Sequence, residues 1–207
     1  LDYEVSMPSI LTDYRVYDSQ TNSLLRLRAS LKDLPPTHQK LVAEIVLLRL
    51  FSLFENLVSS VSIKLVCGAS YVNGSSPVLL KRVRYAKDAI RLFVTHGRPR
   101  PRYQLIWTKA KDIKDNVKYA IDITDNYMTV VDRNATFIDK MRRIRNRIAH
   151  NNTASRNKYR EVVKQQYGAY LNHVTPGTLL LTPRFIPCLL EQYIRESRIL
   201  AKDLVRA

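Results

Sequence analysis

An all-α domain is the fold this sequence predicts, and three observations predict it. Apolar residues recur at helical spacing over long stretches, strand candidates are short and few, and glycine, proline and asparagine punctuate the intervals. The 207 residues, 45% of them hydrophobic, suffice for one core. The expected organisation is an irregular N-terminal arm over 1–36 and a helical domain over 37–207, with two small domains as the competing arrangement.

The arm is read as irregular because residues 5–16 mix Pro8, Thr12 and β-branched residues without a sustained period. A brief apolar-basic run, Leu24-Leu25-Arg26-Leu27-Arg28, follows, and Pro35-Pro36 ends it, since each proline restricts its predecessor and lacks an amide donor. A strand or short helix, packed on the body or on a partner, is expected there.

Thr37 caps a long helix over 38–67 in this reading. Leu41, Val42, Ile45, Val46, Leu48, Leu53, Leu57 and Val61 cover more than one stripe, which predicts a central helix with neighbours on most sides. Glu55 on that helix either faces solvent or is held by a cation. Gly68 and the segment 73–77 form a loop, and a second helix over 78–95 closes at His96-Gly97.

Residues 97–102 alternate arginine with proline, giving Arg98, Arg100 and Arg102 on a stiff, non-helical backbone. Such a connector suits a phosphate backbone, and a solvated linker is the competing reading. Residues 103–107 read as a short strand or the lead into a helix over 108–125, and a third long pattern runs over 127–150 despite Asp132 and Asn134. Ser155 is expected to cap a helix to Tyr167, closed by Gly168. Val174-Thr175-Pro176-Gly177 reads as a turn, 178–181 as extended, and a last helix from Phe185 or Pro187 through Leu204.

Charge narrows the partners. Lys and Arg number 34 against 18 Asp and Glu, leaving +16 and a pI near 10.0, which favours nucleic acid, an acidic protein or an anionic surface. The apolar region 41–66 is broken by Glu44, Arg49, Glu55, Asn56 and Lys64, too many polar groups for a membrane span. Cys67 and Cys188 stand far apart in apolar surroundings and are expected as buried thiols in a reducing compartment. Leu1-Asp2-Tyr3-Glu4 has no basic leader, which agrees with a cytoplasmic location, while the lack of an initiating Met leaves a longer native chain open.

No cofactor and no metal site are expected. The histidines, His38, His96, His150 and His173, are dispersed, and no glycine-rich phosphate loop is present. Asp122 and Asp125, at i and i+3, either balance the basic exterior or pair on a divalent ion.

The run Arg142-Arg143-Ile144-Arg145-Asn146-Arg147-Ile148-Ala149-His150 is the candidate site. Histidine alone exchanges protons near neutral pH without perturbation, and arginine is the natural bidentate partner of phosphate. On a helical projection Met141, Ile144 and Ile148 fall within about 40° of Phe137, whereas Arg142, Asn146 and His150 lie at roughly 140°, 180° and 220°. Asn146 and His150 are therefore neighbours at i and i+4, and Arg145 and His150 do not stack directly. A basic helix end stabilising the negative end of the dipole is the competing account.

Arg145, Asn146 and His150, framed by Ile144 and Ile148-Ala149, resemble the signature of the HEPN superfamily: Arg, a polar residue often Asn, three variable positions and His. The leucine-rich stretch from Leu47-Leu48 to Glu55 resembles the early helix of those domains, so the likeness covers roughly 38–205. It implies a helical bundle that dimerises and brings two such sets to one cleft. Active members are metal-independent endoribonucleases of toxin–antitoxin, abortive-infection and related defence systems; others are binding or scaffolding domains. Residues 97–102 and 173–183 stand here as inter-helix insertions longer than in the smallest members.

Carried onto this chain, the resemblance implies cleavage of single-stranded RNA by attack of a ribose 2′-hydroxyl on the adjacent phosphorus. His150 serves as general base or acid, Arg145 neutralises charge on the non-bridging oxygens, and Asn146 orients His150 or donates to phosphate. Arg98, Arg100, Arg102, Lys140, Arg142, Arg143 and Arg147 are the expected RNA contacts. The expected partners are RNA and a second copy of the chain, with a cognate antitoxin or a defence-complex subunit as further possibilities. The rival from another class is a catalytically silent RNA- or protein-binding module.

Overall fold

The computed structural model describes residues 9–150 and 152–206. In chain order its helices are α1 (Ile10–Ser30), a 3-10 turn at Leu31–Asp33, α2 (Pro36–Val66), α3 (Ala86–Thr95), α4 (Ala110–Val117) and α5 (Asn126–Arg133). After them come α6 (Ala135–Ala149), α7 (Thr153–Tyr167), α8 (Pro176–Leu181) and α9 (Leu189–Leu204). Among the described residues the fold is all-α, with one isolated antiparallel bridge between Leu79 and Ile121.

The expected irregular arm is replaced by helix. Ile10, Tyr17, Leu24 and Leu31 are all buried, and they recur every seven residues, so a narrow apolar stripe holds α1 and the turn after it. Val16 and Leu27 between them are exposed, which blurs the period in a window reading. The part of the expected arm over 1–8 lies outside the described residues.

Two compact units divide the chain. The first comprises the described residues to Tyr17, then Glu55–Ala135, and those from Leu200 on; the second comprises Asp18–Phe54 and Thr136–Ile199.

In the first unit Leu57, Val58, Val61 and Leu65 of α2 are buried, as are Phe93 of α3, Ile113 and Val117 of α4, and Val131 of α5. Phe93 meets Trp107 edge-on at 6.1 Å. The helix expected over 78–95 begins only at Ala86, because 78–81 pair with remote backbone instead. Leu80 N donates to Ala120 O at 2.9 Å and Asp122 N to Val78 O at 2.9 Å. The helix expected over 108–125 is likewise shortened to α4.

Asp125 explains why the chain turns after that helix. Its carboxylate caps α5 by accepting Tyr127 N at 2.8 Å, and it also accepts Val78 N at 2.8 Å and the Tyr71 hydroxyl. The carboxylate is buried, and three donors compensate its lost hydration. Burial, then the Asp125 hydrogen bond, pushes the Tyr71 phenol far above its ordinary range, so it stays a neutral donor. Tyr127, fully buried, bonds Ser62 Oγ at 2.6 Å.

The second unit buries Leu47, Leu50, Phe51 and Phe54 of α2 and Ile138, Met141 and Ile144 of α6. Val162 and Val163 of α7, Leu179 and Leu180 of α8, and Leu190 and Ile194 of α9 are buried with them. Leu41 and Ile45 on the early turns of α2 are exposed, so the expected cover on most sides does not extend to its start.

The pattern over 127–150 is two helices, α5 and α6, separated at Asn134, whose side-chain amide donates to Val130 O at 2.8 Å. Asn152, not Ser155, caps α7 by accepting Ser155 N at 2.8 Å, while Gly168 closes it with φ +78. Residues 178–181 are helical rather than extended: Thr175 caps α8 and Pro176 opens it. Gly177 N donates to Glu44 Oε1 at 2.8 Å, fastening α8 to α2.

Candidate functional site

The end of α6 positions the residues singled out in the sequence. Its buried residues are Ile138, Met141, Arg142 and Ile144, so the core-facing arc is rotated from the Phe137-centred stripe, and Phe137 and Ile148 are only half-buried. Arg142, expected to point outward, is the main correction. Its side chain is buried, and its guanidinium donates to Asp139 Oδ1 at 2.5 Å. Arg143 Nε donates to the other oxygen, Asp139 Oδ2, at 2.6 Å. One carboxylate thus occupies two arginines expected to face RNA. Burial opposes ionisation of Asp139, but the Arg142 hydrogen bond and the charges of Arg142 and Arg143 outweigh it and hold its carboxyl below the ordinary value.

Arg145 and Asn146 are brought together. Arg145 Nη1 donates to Asn146 Oδ1 at 3.0 Å, and the guanidinium carbon stands 5.7 Å from the centroid of the Phe51 ring on α2. Both residues are half-buried, and His150 is exposed. His150 N closes the helix by donating to Asn146 O at 2.9 Å, and the buried Ser155 of α7 donates its hydroxyl to His150 O. The backbone at His150 is therefore held from both sides while the imidazole is open to solvent. Arg145 turns toward Asn146 and Phe51, and no hydrogen bond joins its side chain to that of His150 among the described residues.

Arg147 lies on a cavity of about 410 Å³ that sequence reasoning missed. Arg156, Tyr159 and Arg160 of α7 line it with Asn172 and Thr175 of the following segment. Spacing carried a signal: Arg156 and Arg160 are one helical turn apart in α7. What the spacing lacked was the return of 171–176 across them. Burial raises the Tyr159 phenol well above its ordinary range, and its hydroxyl donates to Val174 O at 3.2 Å.

In the first unit, the arginine-proline connector is not the open cationic strand expected. Arg98 Nε donates to Phe93 O at 3.0 Å, and its Nη2 donates to Asp115 O. Burial, then the neighbouring Arg102, lowers the Arg98 pKa. Arg102 donates to Asn116 Oδ1 at 2.6 Å and pairs with Asp115 at 3.4 Å. Carbonyl and carboxylate acceptors on α3 and α4 fold the connector back, and Arg100 alone of the three is exposed. Lys140 is half-buried.

Asp122 and Asp125 do not form a cation pair: Asp122 accepts Thr124 N at 2.9 Å, while Asp125 faces Tyr71 and Val78. Among the described residues no three His, Cys, Asp or Glu side chains converge where a metal ion would be held. None of the described helices is long and apolar enough to cross a membrane. Cys67 and Cys188 are free thiols, the first half-buried and the second buried. The chain matches no protein-family model, no curated protein and no solved structure.

Proposed function

We propose that the protein is a metal-independent endoribonuclease that cuts single-stranded RNA by 2′-hydroxyl attack, acting as a homodimer in a defence or toxin–antitoxin setting. The observation that carries this reading is the Arg145 guanidinium, held by Asn146 and backed by Phe51, just over one helical turn before an exposed His150. A guanidinium fixed in advance stabilises charge growing on phosphoryl oxygens without reorganising at the moment of reaction. His150, free of enclosing groups, accepts the 2′-hydroxyl proton or delivers one to the departing 5′-oxygen. The products are a 2′,3′-cyclic phosphate and a 5′-hydroxyl. A second copy supplies a second histidine, so that acid and base are different residues.

Cleavage of single-stranded RNA in excess chelator, abolished in His150→Ala with DNA left intact, is the expected result. Cutting that persists in His150→Ala, or that needs magnesium, removes the mechanism. The second reading, a catalytically silent RNA- or protein-binding module, is favoured by the commitment of the Arg145 guanidinium to Asn146 and Phe51 within one chain. It takes over if the wild type binds diverse RNAs and cuts none.

A further inference from the structure

The cavity formed by the end of α6, α7 and residues 171–176 has no part in the chemistry assigned to Arg145, Asn146 and His150, yet its lining is that of an anion site. Three arginines, Arg147, Arg156 and Arg160, open on it, and no Asp or Glu is among its lining residues. Arg156 and Arg160 stand at i and i+4, an arrangement of like charges that opposes helix stability unless an anion lies between them. Arg160 Nε is buried and has no hydrogen-bond acceptor, although its guanidinium packs 5.5 Å from the Tyr170 ring centroid.

Size and wall chemistry narrow the ligand. At about 410 Å³ the cavity falls in the range of small-molecule sites and accommodates one nucleotide unit. Leu171, Val174 and Pro176 give it an apolar wall beside the arginines, suited to the face of a base or ribose. Arg147 precedes His150 by three residues at the end of α6, which puts the cavity's edge on the side of the helix that carries His150.

We infer that this cavity is a subsite for a nucleotide flanking the scissile bond in an RNA strand. Arg156 and Arg160, with Arg147, hydrogen-bond the phosphodiester oxygens, and the nucleoside packs on Leu171, Val174 and Pro176. The inference rests on the RNA reading above for the identity of the polymer, and on the cavity for the anion. Arg156 and Arg160 here act in binding, away from the reacting atoms.

The test uses the full chain and a single-stranded 2′-O-methyl oligoribonucleotide, which cannot be cut because the attacking hydroxyl is blocked. Arg156→Ala with Arg160→Ala weakens binding, read by fluorescence anisotropy, by about tenfold or more. The slope of log affinity against log salt falls by about one to two in the same variant. Because Arg160 packs on Tyr170, the single Arg156→Ala change at an exposed position guards against misfolding, and it weakens binding by about threefold or more. Nucleoside 5′-monophosphates and inorganic phosphate compete only at concentrations far above the oligonucleotide's.

Wild-type affinity in both variants overturns the inference, as does a wild type that does not bind the oligonucleotide. A free monophosphate that binds as tightly as the strand overturns it in favour of a mononucleotide site. If the wild type cuts no RNA while the variants lose binding, the nuclease reading falls and with it the placement beside a scissile bond, and the cavity stands as an RNA-binding site alone.

Discussion

Arg145 Nη1 donates to Asn146 Oδ1 at 3.0 Å, a contact between sequence neighbours that fixes where a cation points. Side chains at i and i+1 on a helix usually diverge, and here the length of arginine lets it return across the gap. The Phe51 ring, 5.7 Å from the guanidinium carbon, closes the other side.

Asn146→Ala therefore releases the guanidinium without removing it. Under the proposed mechanism, cleavage should fall by about tenfold in kcat/KM, less than the loss of roughly 100-fold or more expected for His150→Ala. Arg145→Lys does not restore the wild-type rate, because an ammonium offers neither the planar fork nor the stacking on Phe51. Steady-state kinetics with circular dichroism on each variant check both statements, and full activity in Asn146→Ala contradicts the assigned positioning.

Asp139 makes the stability of α6 sensitive to acid. Its folded-state pKa lies below the ordinary value, so its contribution is complete above the usual carboxylate range and is lost as pH falls through the folded value. Asp139→Asn should lower the thermal midpoint at neutral pH and narrow its difference from the wild type in strong acid. Equal gaps at both pH values would show that the Arg142 and Arg143 contacts contribute nothing pH-dependent.

Tyr71→Phe leaves the buried Asp125 carboxylate short of one donor. A loss of about 1.5–3 kcal/mol in unfolding free energy is expected, as for hydrogen bonds to charged groups. Denaturant titration measures it, and a change near zero would mean that solvent replaces the phenol.

Gly177→Ala pushes α8 off α2. A Cβ at this glycine would lie 2.7 Å from Lys40 O, a backbone atom that cannot swing aside. Overpacking of this kind costs about 1–3 kcal/mol, and Glu44, which accepts from Gly177 N, is displaced with it. Hydrogen exchange should show faster exchange in 176–181 than in the rest of the second unit.

Sedimentation at micromolar concentration should give a species heavier than the 24.0 kDa chain, since the proposed chemistry divides acid and base between two copies. A single species near 24.0 kDa, unchanged on adding RNA, speaks against the dimer.

Periodicity made the long helices legible where it was dense. The 38–67 pattern corresponds to α2, Gly168 closes α7 as its left-handed geometry allows, and the last helix ends at Leu204 as expected. Elsewhere the deciding force was remote or sparse. Ile10, Tyr17, Leu24 and Leu31 supply only one stripe in α1, and Val78 to Leu80 are drawn from helix by backbone near Ala120. Thr175-Pro176 held a usable signal for α8, a capping hydroxyl followed by a residue suited to the first helical position.

At the candidate site the order of residues was legible and their commitments were not. Asp139 precedes Arg142 and Arg143 by three and four positions, the spacing of a helical ion pair, so its claim on both follows from the sequence once the helix is known. The capture of Arg98 and Arg102 does not, because Asp115 and Asn116 meet them only through tertiary folding.

The Asp125 carboxylate has a consequence for the order in which the first unit forms. One of its donors is local, Tyr127 N, but the Tyr71 hydroxyl and Val78 N come from 54 and 47 residues earlier in the chain. Dehydrating that charge before both distant donors arrive would be uphill, since a bare carboxylate is far better solvated by water. Closing so long a loop is slow on topological grounds, and here its reward is withheld until the last partner docks. Substitutions at Tyr71 should accordingly leave the folding rate nearly untouched and act on unfolding, the kinetic mark of a contact completed late.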